Sequence, residues 1–176
     1  MAVPKASHEW NGWLYRLKRW MYPGNRPNAV ARLLNGLSVV QFSSGVLAPR
    51  NWVTLEVRGR RTGRLIRCPV VAVNVEGERF LVAMLGPDAN WVRNVRAAGG
   101  HAVLRHGRPE AVLLEEVETG ARAPIIRRHL ALAPGARPHI PVDRHAPLAA
   151  FQAIAAQVPV FRITPDPTAT GTGGRP

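Results

Sequence analysis

A strand–turn–strand pattern over residues 53–73 constrains the fold more than any other feature of the sequence. Both ends of this stretch are rich in Val, Leu and Ile and alternate or run apolar, as β-strands do. The middle, residues 59–63, begins and ends with glycine. Gly59 and Gly63 can take the positive φ values that close a short loop and let its amides converge. The stretch therefore predicts a β-hairpin.

Further β segments, each bounded by turn residues, follow along the chain. The predicted strands after the first are Pro69–Val75, Arg79–Leu85, His101–Arg105, Glu110–Val117 and Val158–Ile163. Six β segments with few long helices between them favour a small antiparallel barrel over a Rossmann sheet. The sequence also contains neither a G-x-G-x-x-G motif nor a P-loop. The predicted fold is mainly β with flanking helices.

Apolar residues at helical spacing predict helices beside the strands. These are expected over residues 8–22 and 30–45, from Asn90 (as the cap) to the glycines at 99–100, over 121–133, and through Phe151–Ala155. The predicted organisation is a pair of N-terminal helices within residues 1–48, a barrel domain with C-terminal helices over 49–164, and a disordered Pro/Thr/Gly-rich tail over 165–176.

The loop of the first hairpin is rich in arginine. Five arginines lie in or beside it: Arg58, Arg60, Arg61, Arg64 and Arg67. The formal net charge of the chain is +13 at pH 7, which implies an anionic partner. Guanidinium groups, a Thr hydroxyl and the amides of a tight loop together can bind phosphate or carboxylate. The alternative is a solvated hairpin tip whose arginines have no specific ligand.

The first predicted helix combines basic residues with an apolar stripe. Its large apolar side chains recur at helical spacing: Trp10, Trp13, Leu14, Leu17, Trp20 and Met21. A basic amphipathic helix with several tryptophans is typical of interfacial membrane binding, and the alternative is a terminal helix packed on its own barrel. Because the sequence shows no signal peptide and no apolar run near 18 residues, we expect a cytoplasmic protein, peripheral at the inner face of the membrane if this helix binds lipid.

The sequence contains no recognisable catalytic or metal-binding motif. Cys68 is the only cysteine, which excludes an internal disulfide and a cysteine-based metal site. It lies beside Pro69 in a strand, and we interpret it as a packing residue. The histidines are scattered without ligand spacing, and no nucleophile elbow is present. We therefore predict no metal and no catalytic side chain, and an enzyme of this kind takes its chemistry from a cofactor.

Four motifs in order carry a resemblance to a known family. They are Gly59-Arg60-Arg61-Thr62-Gly63, Pro69, Ala83-Met84-Leu85-Gly86 and Trp91-x-x-Asn94. Over residues 50–117 the chain thus resembles the deazaflavin-dependent nitroreductase family of the flavin/deazaflavin oxidoreductase superfamily. The resemblance implies an FMN-binding split-barrel-like fold. It also implies coenzyme F-420, a deazaflavin with a phospholactyl group and an oligoglutamate tail, as the cofactor.

The resemblance further implies a cofactor site built from three parts of the barrel domain. The arginine loop would hold the phosphate and the tail, residues 83–85 would lie along the deazaflavin ring, and the helix at Asn90 would add amide donors. The implied cofactor-binding residues are Arg60, Arg61, Thr62, Arg67, Cys68, Pro69, Val70, Ala83, Met84, Leu85, Asn90, Trp91, Val92, Arg93 and Asn94. For Trp91 the alternative is packing of the short helix on the barrel.

The chain departs from the family pattern near the ring. Met84 stands where the family has a small hydroxyl residue, and Leu85 stands where Lys is frequent. Ile66 occupies a position often held by Arg, with Arg67 next to it. Family members that reduce nitroimidazoles use tyrosines in the C-terminal third, which has none here. The fold and the cofactor class survive these departures, and the substrate stays open.

The predicted function is that of a deazaflavin-dependent oxidoreductase. It would transfer hydride from reduced coenzyme F-420 to a small-molecule acceptor, namely a quinone, a nitroaromatic or an activated alkene. One alternative is an FMN-dependent reductase on the same fold, and another is a non-enzymatic basic β-barrel that binds nucleic acid. Against nucleic acid, Phe80 is the only Tyr or Phe between residues 53 and 117, so the strands lack the aromatics that base stacking needs.

Overall fold

Six β-strands close into a barrel within residues 49–169, the part of the chain described by a computed structural model. The strands are β1 (Trp52–Arg58), β2 (Leu65–Val75), β3 (Glu78–Val82), β4 (His101–His106), β5 (Arg108–Glu116) and β6 (Val160–Pro165). Every hydrogen-bonded pair is antiparallel, in the order β1-β2-β3-β6-β5-β4. The predicted mainly β, split-barrel-like fold with flanking helices is confirmed.

Three α-helices accompany the strands in the described part of the chain. They are α1 (Asn90–Ala97), α2 (Arg122–Leu132) and α3 (Leu148–Ile154), with short 3-10 turns at Thr119–Ala121, Pro134–Ala136 and Ala155–Gln157. Helix α1 contributes Trp91, Val92 and Val95 to the core inside the barrel. Helices α2 and α3 instead cover the outer face of the sheet.

Strand β2 shows how the sheet separates two apolar cores. Val70 and Ala72 pack in the cluster inside the barrel. The alternating residues Val71 and Val73 pack outside it, in the cluster beneath α2 and α3. Successive side chains of a strand point to opposite faces, so one apolar strand supplies both cores.

The last strand closes the barrel. β6 lies between β3 and β5, where Leu81 is opposite Phe161 on one side and Leu114 is opposite Ile163 on the other. β1, β2 and β3 are joined by short turns, as are β4 and β5. β6 returns to the sheet only after α2 and α3. Closure of the barrel therefore depends on the strand that comes last in the chain.

Several strand boundaries differ from the predicted ones, and two of them have the same cause. β2 begins at Leu65 rather than at Pro69, because the hairpin ladder continues to the Arg58–Leu65 pair. β6 ends at Pro165 rather than at Ile163, because its last residues still pair with β5. In both cases pairing with a neighbouring strand extends a segment beyond its apolar run.

The residues that follow β6 form a turn joined to β4. Asp166 accepts hydrogen bonds from the hydroxyl and the backbone N–H of Thr168, at 2.7 and 2.8 Å, and its Oδ2 lies 2.7 Å from Nδ1 of His101. The Thr168 hydroxyl, then His101, then the Thr168 amide lower the pKa of Asp166 to about 2. Of the predicted disordered tail, residues 165–169 are thus folded onto the barrel, and residues 170–176 lie outside the described part.

A buried histidine interrupts the outer core. His129 on α2 is 3% exposed. Neither of its ring nitrogens has a hydrogen-bond partner among residues 49–169. Burial lowers the pKa of this imidazole to about 4, so it is neutral at pH 7.

The predicted N-terminal helices, residues 8–22 and 30–45, lie outside the described residues, and so does the apolar stripe expected to bind membrane. Across residues 49–169, none of the helices has both the length and the apolar character needed to cross a bilayer.

Candidate functional site

The arginine loop between β1 and β2 is a closed backbone turn. Gly59 N–H donates to the carbonyl of Arg64, and Gly63 N–H donates to the carbonyl of Gly59, each at 2.8 Å. Gly63 has the predicted positive φ, at 66°. Gly59 does not, and its glycine is needed for space instead, because a Cβ there would lie 3.2 Å from both the Arg64 carbonyl oxygen and Cγ1 of Ile66.

Arg60 joins this loop to the start of α1. Its Nη1 donates to Oδ1 of Asn90 and to Oδ1 of Asn94, both at 2.8 Å. Its backbone N–H also donates to Asn94 Oδ1, at 3.3 Å. Asn94 is only 2% exposed, so a buried amide oxygen holds the loop against the helix. Three of the predicted site residues are thus brought together across sequence separations of 30 and 34 residues.

The role predicted for the Asn90 side chain as a helix cap is wrong. α1 begins at Asn90, its N-cap position is Ala89, and no side chain caps it. The Asn90 side chain accepts the Arg60 guanidinium instead, so it cannot fold back onto the helix amides.

The remaining side chains of the loop face solvent. Arg61, Thr62 and Arg64 are all exposed. Neither of these two arginines takes part in an ion pair within residues 49–169. The Thr62 hydroxyl accepts the Arg64 N–H at 3.4 Å, which leaves its own O–H as a donor. The loop therefore presents two guanidinium groups and a hydroxyl on a rigid turn, and this is a suitable receptor for a phosphate or a carboxylate chain.

Arg67 has a carboxylate partner within the barrel. Its Nε donates to Glu56 Oε1 at 2.8 Å, and Arg105 donates to the same carboxylate at 3.3 and 3.4 Å. Glu56 is 5% exposed, whereas Arg67 is 56% exposed. Burial opposes ionisation of Glu56, but hydrogen bonds and charge from Arg105 and Arg67 outweigh it and keep its pKa below the usual value. A ligand anion would thus meet an Arg67 that is already paired.

The next predicted residues along β2 belong to the wall of the barrel. Cys68 and Val70 pack against the interior cluster. Burial raises the pKa of the Cys68 thiol to about 12, so it is protonated at neutral pH. These side chains shape the barrel beside the loop and carry no charge toward a ligand.

Trp91 and Val92 lie in the interior core as well. Trp91 is 9% exposed, and its ring packs on Phe161 with the centroids 5.4 Å apart at an interplanar angle of 58°. Val92 is fully buried. This geometry favours the packing role that we considered for Trp91. Arg93, in contrast, is exposed and forms an ion pair with Asp88.

The predicted ring-binding residues occupy a turn directly after β3. The strand ends at Val82 rather than at Leu85, because Ala83 N–H donates to the carbonyl of Pro159 and Gly86 N–H donates to Ala83. Ala83 is fully buried. Met84 packs against the outer core and Leu85 against the interior core. The turn therefore lies at the boundary between the two cores, with apolar side chains on both sides.

Sequence reasoning missed Glu56, which lies in an otherwise apolar strand. Glu56 stands opposite Arg67 in the hairpin ladder, and a second strand predicted to begin at Pro69 does not include that pair. No group of three or more His, Cys, Asp or Glu side chains in the described residues could hold a metal ion.

A comparison with family models matches residues 26–148, more than half of the chain, to the F420H(2)-dependent quinone reductase family. A comparison with curated proteins found no match.

Solved structures similar to the described fold include three that share low sequence identity with it. One is an F420-H2 dependent reductase (FDR-A), with a TM-score of 0.45 and 21% identity over 65% of this chain and 95% of that one. A second is an F420 reductase, with a TM-score of 0.44 and 11% identity over 70% and 92% of the two chains. The third is the protein Atu2129, of unknown function, from Agrobacterium tumefaciens, with a TM-score of 0.48 and 11% identity over 76% and 54%.

Proposed function

Because the chain belongs to the F420H(2)-dependent quinone reductase family and is therefore a coenzyme F-420-dependent oxidoreductase, we propose that its hydride acceptor is a quinone. A nitroaromatic or an activated alkene would be reduced by the same chemistry. Membership of this family argues against the two alternatives, an FMN-dependent reductase and a barrel that binds nucleic acid. The observation that carries the proposal is the match of residues 26–148 to a family of quinone reductases. The arginine loop, which is hydrogen-bonded to Asn94 and presents Arg61 and Arg64 to solvent, supports the placement of the cofactor.

The loop would hold the anionic part of the cofactor. Arg61 and Arg64 are exposed cations without a carboxylate partner in the described part of the chain, and Thr62 lies between them in the sequence. Arg60 would act differently, since Asn90 and Asn94 already engage one of its nitrogens. It positions the loop, and its other N–H groups can still reach an anion. Arg67, neutralised by Glu56, would contribute less to binding of the tail.

The apolar turn after β3 would hold the cofactor ring. When bound, the reduced deazaflavin supplies the hydride. The turn of Ala83, Met84 and Leu85 would lie along one face of the ring and exclude water from it, which leaves the other face to the acceptor. Cys68 stays protonated, with a pKa of about 12, so it serves neither as a base nor as a nucleophile at neutral pH. The protein would act by binding and orientation, without an acid–base side chain.

Steady-state kinetics with coenzyme F-420 and a soluble naphthoquinone test this assignment. Arg61→Ala should raise the Michaelis constant for the cofactor by roughly ten- to a hundredfold, because a charge-assisted contact contributes on the order of 1.5–3 kcal/mol. Turnover at saturation should change little, since the contact is the same in ground and transition states. Met84→Ser should instead alter turnover and acceptor preference while cofactor affinity stays nearly constant.

The matched control is Arg108→Ala, at the opposite end of β1. Arg108 is also an exposed arginine, and it lies on the β4–β5 hairpin, whose strand β4 pairs with Thr54 near the start of β1. Arg108→Ala lowers the net charge by as much as Arg61→Ala does, and it should leave the Michaelis constant for the cofactor unchanged. If Arg61→Ala loses turnover with affinity intact, the loop does not bind the tail. If the quinone is not reduced but a nitroaromatic is, the acceptor assignment fails and the cofactor assignment stands.

A further inference from the structure

A second group of arginines lies at the far end of β2. A cleft of about 580 Å³ opens there, lined by Asn74, Val75, Glu76, Pro124, Arg127, Arg128, Ala131 and Arg144. β2 begins at Leu65 beside the arginine loop and ends at Val75 in this cleft. At about 3.3 Å per residue, its length separates the two places by roughly 30 Å along the strand. The cleft is therefore distinct from the proposed cofactor site.

The charge in this cleft is unbalanced. Its lining residues include three arginines, Arg127, Arg128 and Arg144, and one carboxylate residue, Glu76. Arg127 and Arg128 are exposed, and within residues 49–169 neither forms an ion pair. Arg144 donates through Nε to Nε2 of His145 at 2.8 Å, which orients its guanidinium and leaves the other nitrogens as donors.

Paired arginines elsewhere in the domain make the contrast clear. Arg79 is paired with Glu110, and Arg96 with Glu116. The chain could have neutralised the cleft in the same way, with an acid on the exposed face of α2. It carries two adjacent arginines there instead, at positions 127 and 128. Such a concentration of like charge costs stability, and an anionic ligand would relieve it.

The hairpin between β2 and β3 adds polar groups at the rim. Asn74 Oδ1 accepts the N–H of Gly77 at 3.1 Å, so its NH₂ group is available to donate outward. Pro124 and Ala131 give the cleft an apolar wall on the α2 side. An apolar wall with a few convergent donors is typical of a small-molecule site, and the volume lies within the usual range of roughly 300–1,000 Å³.

We propose that this cleft binds a phosphate-bearing ligand. Guanidinium forks match phosphate oxygens geometrically, and the excess of two positive charges matches a phosphate monoester dianion. The volume exceeds what inorganic phosphate alone would fill, so the rest of the ligand would lie along Pro124 and Ala131. The phosphate can belong to a soluble phosphorylated molecule or to a lipid headgroup. The proposal does not depend on the identity of the hydride acceptor.

Isothermal titration of the full chain with inorganic phosphate tests the proposal, with saturating coenzyme F-420 present so that the arginine loop does not contribute to the phosphate binding measured. The wild type should bind phosphate, with an affinity that falls as ionic strength rises because the arginines are exposed. Arg127→Gln/Arg128→Gln should weaken binding at least tenfold. The matched control is Arg108→Gln, an exposed arginine on another hairpin, which should bind like the wild type. Circular dichroism checks the fold, and Arg144→Gln serves as a second variant if the double variant does not fold.

Co-sedimentation with vesicles distinguishes the two sources of phosphate. Vesicles of phosphatidylglycerol in phosphatidylcholine are compared with phosphatidylcholine alone. If the double variant loses phosphate binding but sediments like the wild type, the ligand is a soluble phosphate. If it also sediments less than both the wild type and Arg108→Gln, the ligand is a headgroup. Wild-type protein that binds neither probe, binding unchanged in the double variant, or an equal loss in Arg108→Gln would each overturn the proposal.

Discussion

Glu56 and His129 are both buried ionisable groups on the outer side of the barrel, but they differ in charge and in hydrogen bonding. Glu56 is 5% exposed and lies between two arginines that donate to both of its oxygens. His129 is 3% exposed and lies among apolar residues with no partner for either nitrogen in the described structure. Glu56 is buried as a carboxylate ion, and His129 is buried as a neutral imidazole.

The comparison shows that the direction of a pKa shift does not reveal its cause. The pKa values of both groups are lowered. For Glu56, burial acts upward and the two arginines overcome it, so the low pKa reflects a stabilised charge. For His129, burial alone lowers the pKa, to about 4, because the charged form cannot be solvated. A lowered pKa thus marks a hydrogen-bonded, charged group at Glu56 and an imidazole without hydrogen-bond partners in the described structure at His129.

The two groups also make the fold sensitive to acid in different ranges. The pKa of His129 is near its ordinary value of 6.5 in the unfolded chain but about 4 in the folded chain, so stability falls as the pH drops between these values. The pKa of Glu56 is ordinarily 4.5 and is lower in the folded chain, so the contribution of Glu56 to stability is complete above pH 4.5 and is lost as the pH falls below it. Measuring the free energy of unfolding across this pH range therefore separates the contributions of the two groups.

The largest effect is expected from Glu56→Ala. Removing the carboxylate leaves Arg67 and Arg105 without their shared acceptor, and the free energy of unfolding at pH 7 should fall by about 3 kcal/mol. Urea denaturation measures the change. Glu115→Ala, at an exposed site on β5, is the control. A loss below about 1 kcal/mol would place Glu56 with ordinary surface ion pairs and would remove its contrast with His129.

His129→Leu should produce the next largest effect, and only in acid. Between pH 7.5 and pH 5 the wild type should lose about 2 kcal/mol more stability than the variant, because 1.5 pH units below the unfolded pKa of 6.5 cost about 1.4 kcal/mol each. At pH 7.5 the variant should be as stable as the wild type or slightly more so. Denaturation at the two pH values tests this, with His145→Gln, at an exposed site, as control. Parallel losses in wild type and variant would show that His129 is protonated in the folded protein.

Asn94→Ala should have an intermediate effect, since Asn94 is a buried neutral group with a charged partner. Loss of the acceptor for Arg60 should lower stability by about 1–2 kcal/mol. It should also weaken cofactor binding several-fold, because the loop is no longer held against α1. Asn90→Ala removes the exposed acceptor only and should change both quantities less. Equal effects of the two variants would mean that burial of Asn94 is unimportant for the loop.

The smallest effect is expected from Asp166→Asn, at a surface pair. Contacts with Thr168 and His101 lower the pKa of Asp166 from its ordinary value of 3.8 to about 2, so its contribution to stability is complete above pH 3.8 and is lost as the pH falls toward 2. Because its partner His101 is 51% exposed, the pair contributes little, so the melting temperature at pH 7 should shift less than in Glu56→Ala and Asn94→Ala. A shift as large as that of Glu56→Ala would show that the turn after β6 is part of the cooperative core.

Local signals predicted most of the fold. Strands, tight turns and the helices α1 to α3 follow from periodicity and glycine, because these act between neighbours in the chain. The turn at Glu76-Gly77 is an example, with φ values of 54° and 86° that suit a two-residue hairpin. The strand order, with β6 between β3 and β5, could not be predicted in this way, since it depends on contacts between distant segments.

The site was predictable to the same degree. The arginine loop was found from composition and glycine spacing, and its link to α1 was implied by the family resemblance. The hydrogen bonds from Arg60 to Asn94 could not be seen, because 34 residues separate the partners. Glu56 was missed because the predicted second strand began at Pro69, which hid the register that places Arg67 opposite it. Whether each predicted residue contacts the cofactor stays a prediction.

The position of β6 also has a consequence for synthesis on the ribosome. Strands β1 to β5 emerge first, and until β6 arrives β3 and β5 each keep an unpaired edge, since both pair with β6 in the finished sheet. Open edges of apolar strands recruit other strands, and a nascent chain paused before Val160 would present two of them. Such a chain depends on chaperones, or on rapid translation through the last helix, to avoid pairing with a neighbouring nascent copy.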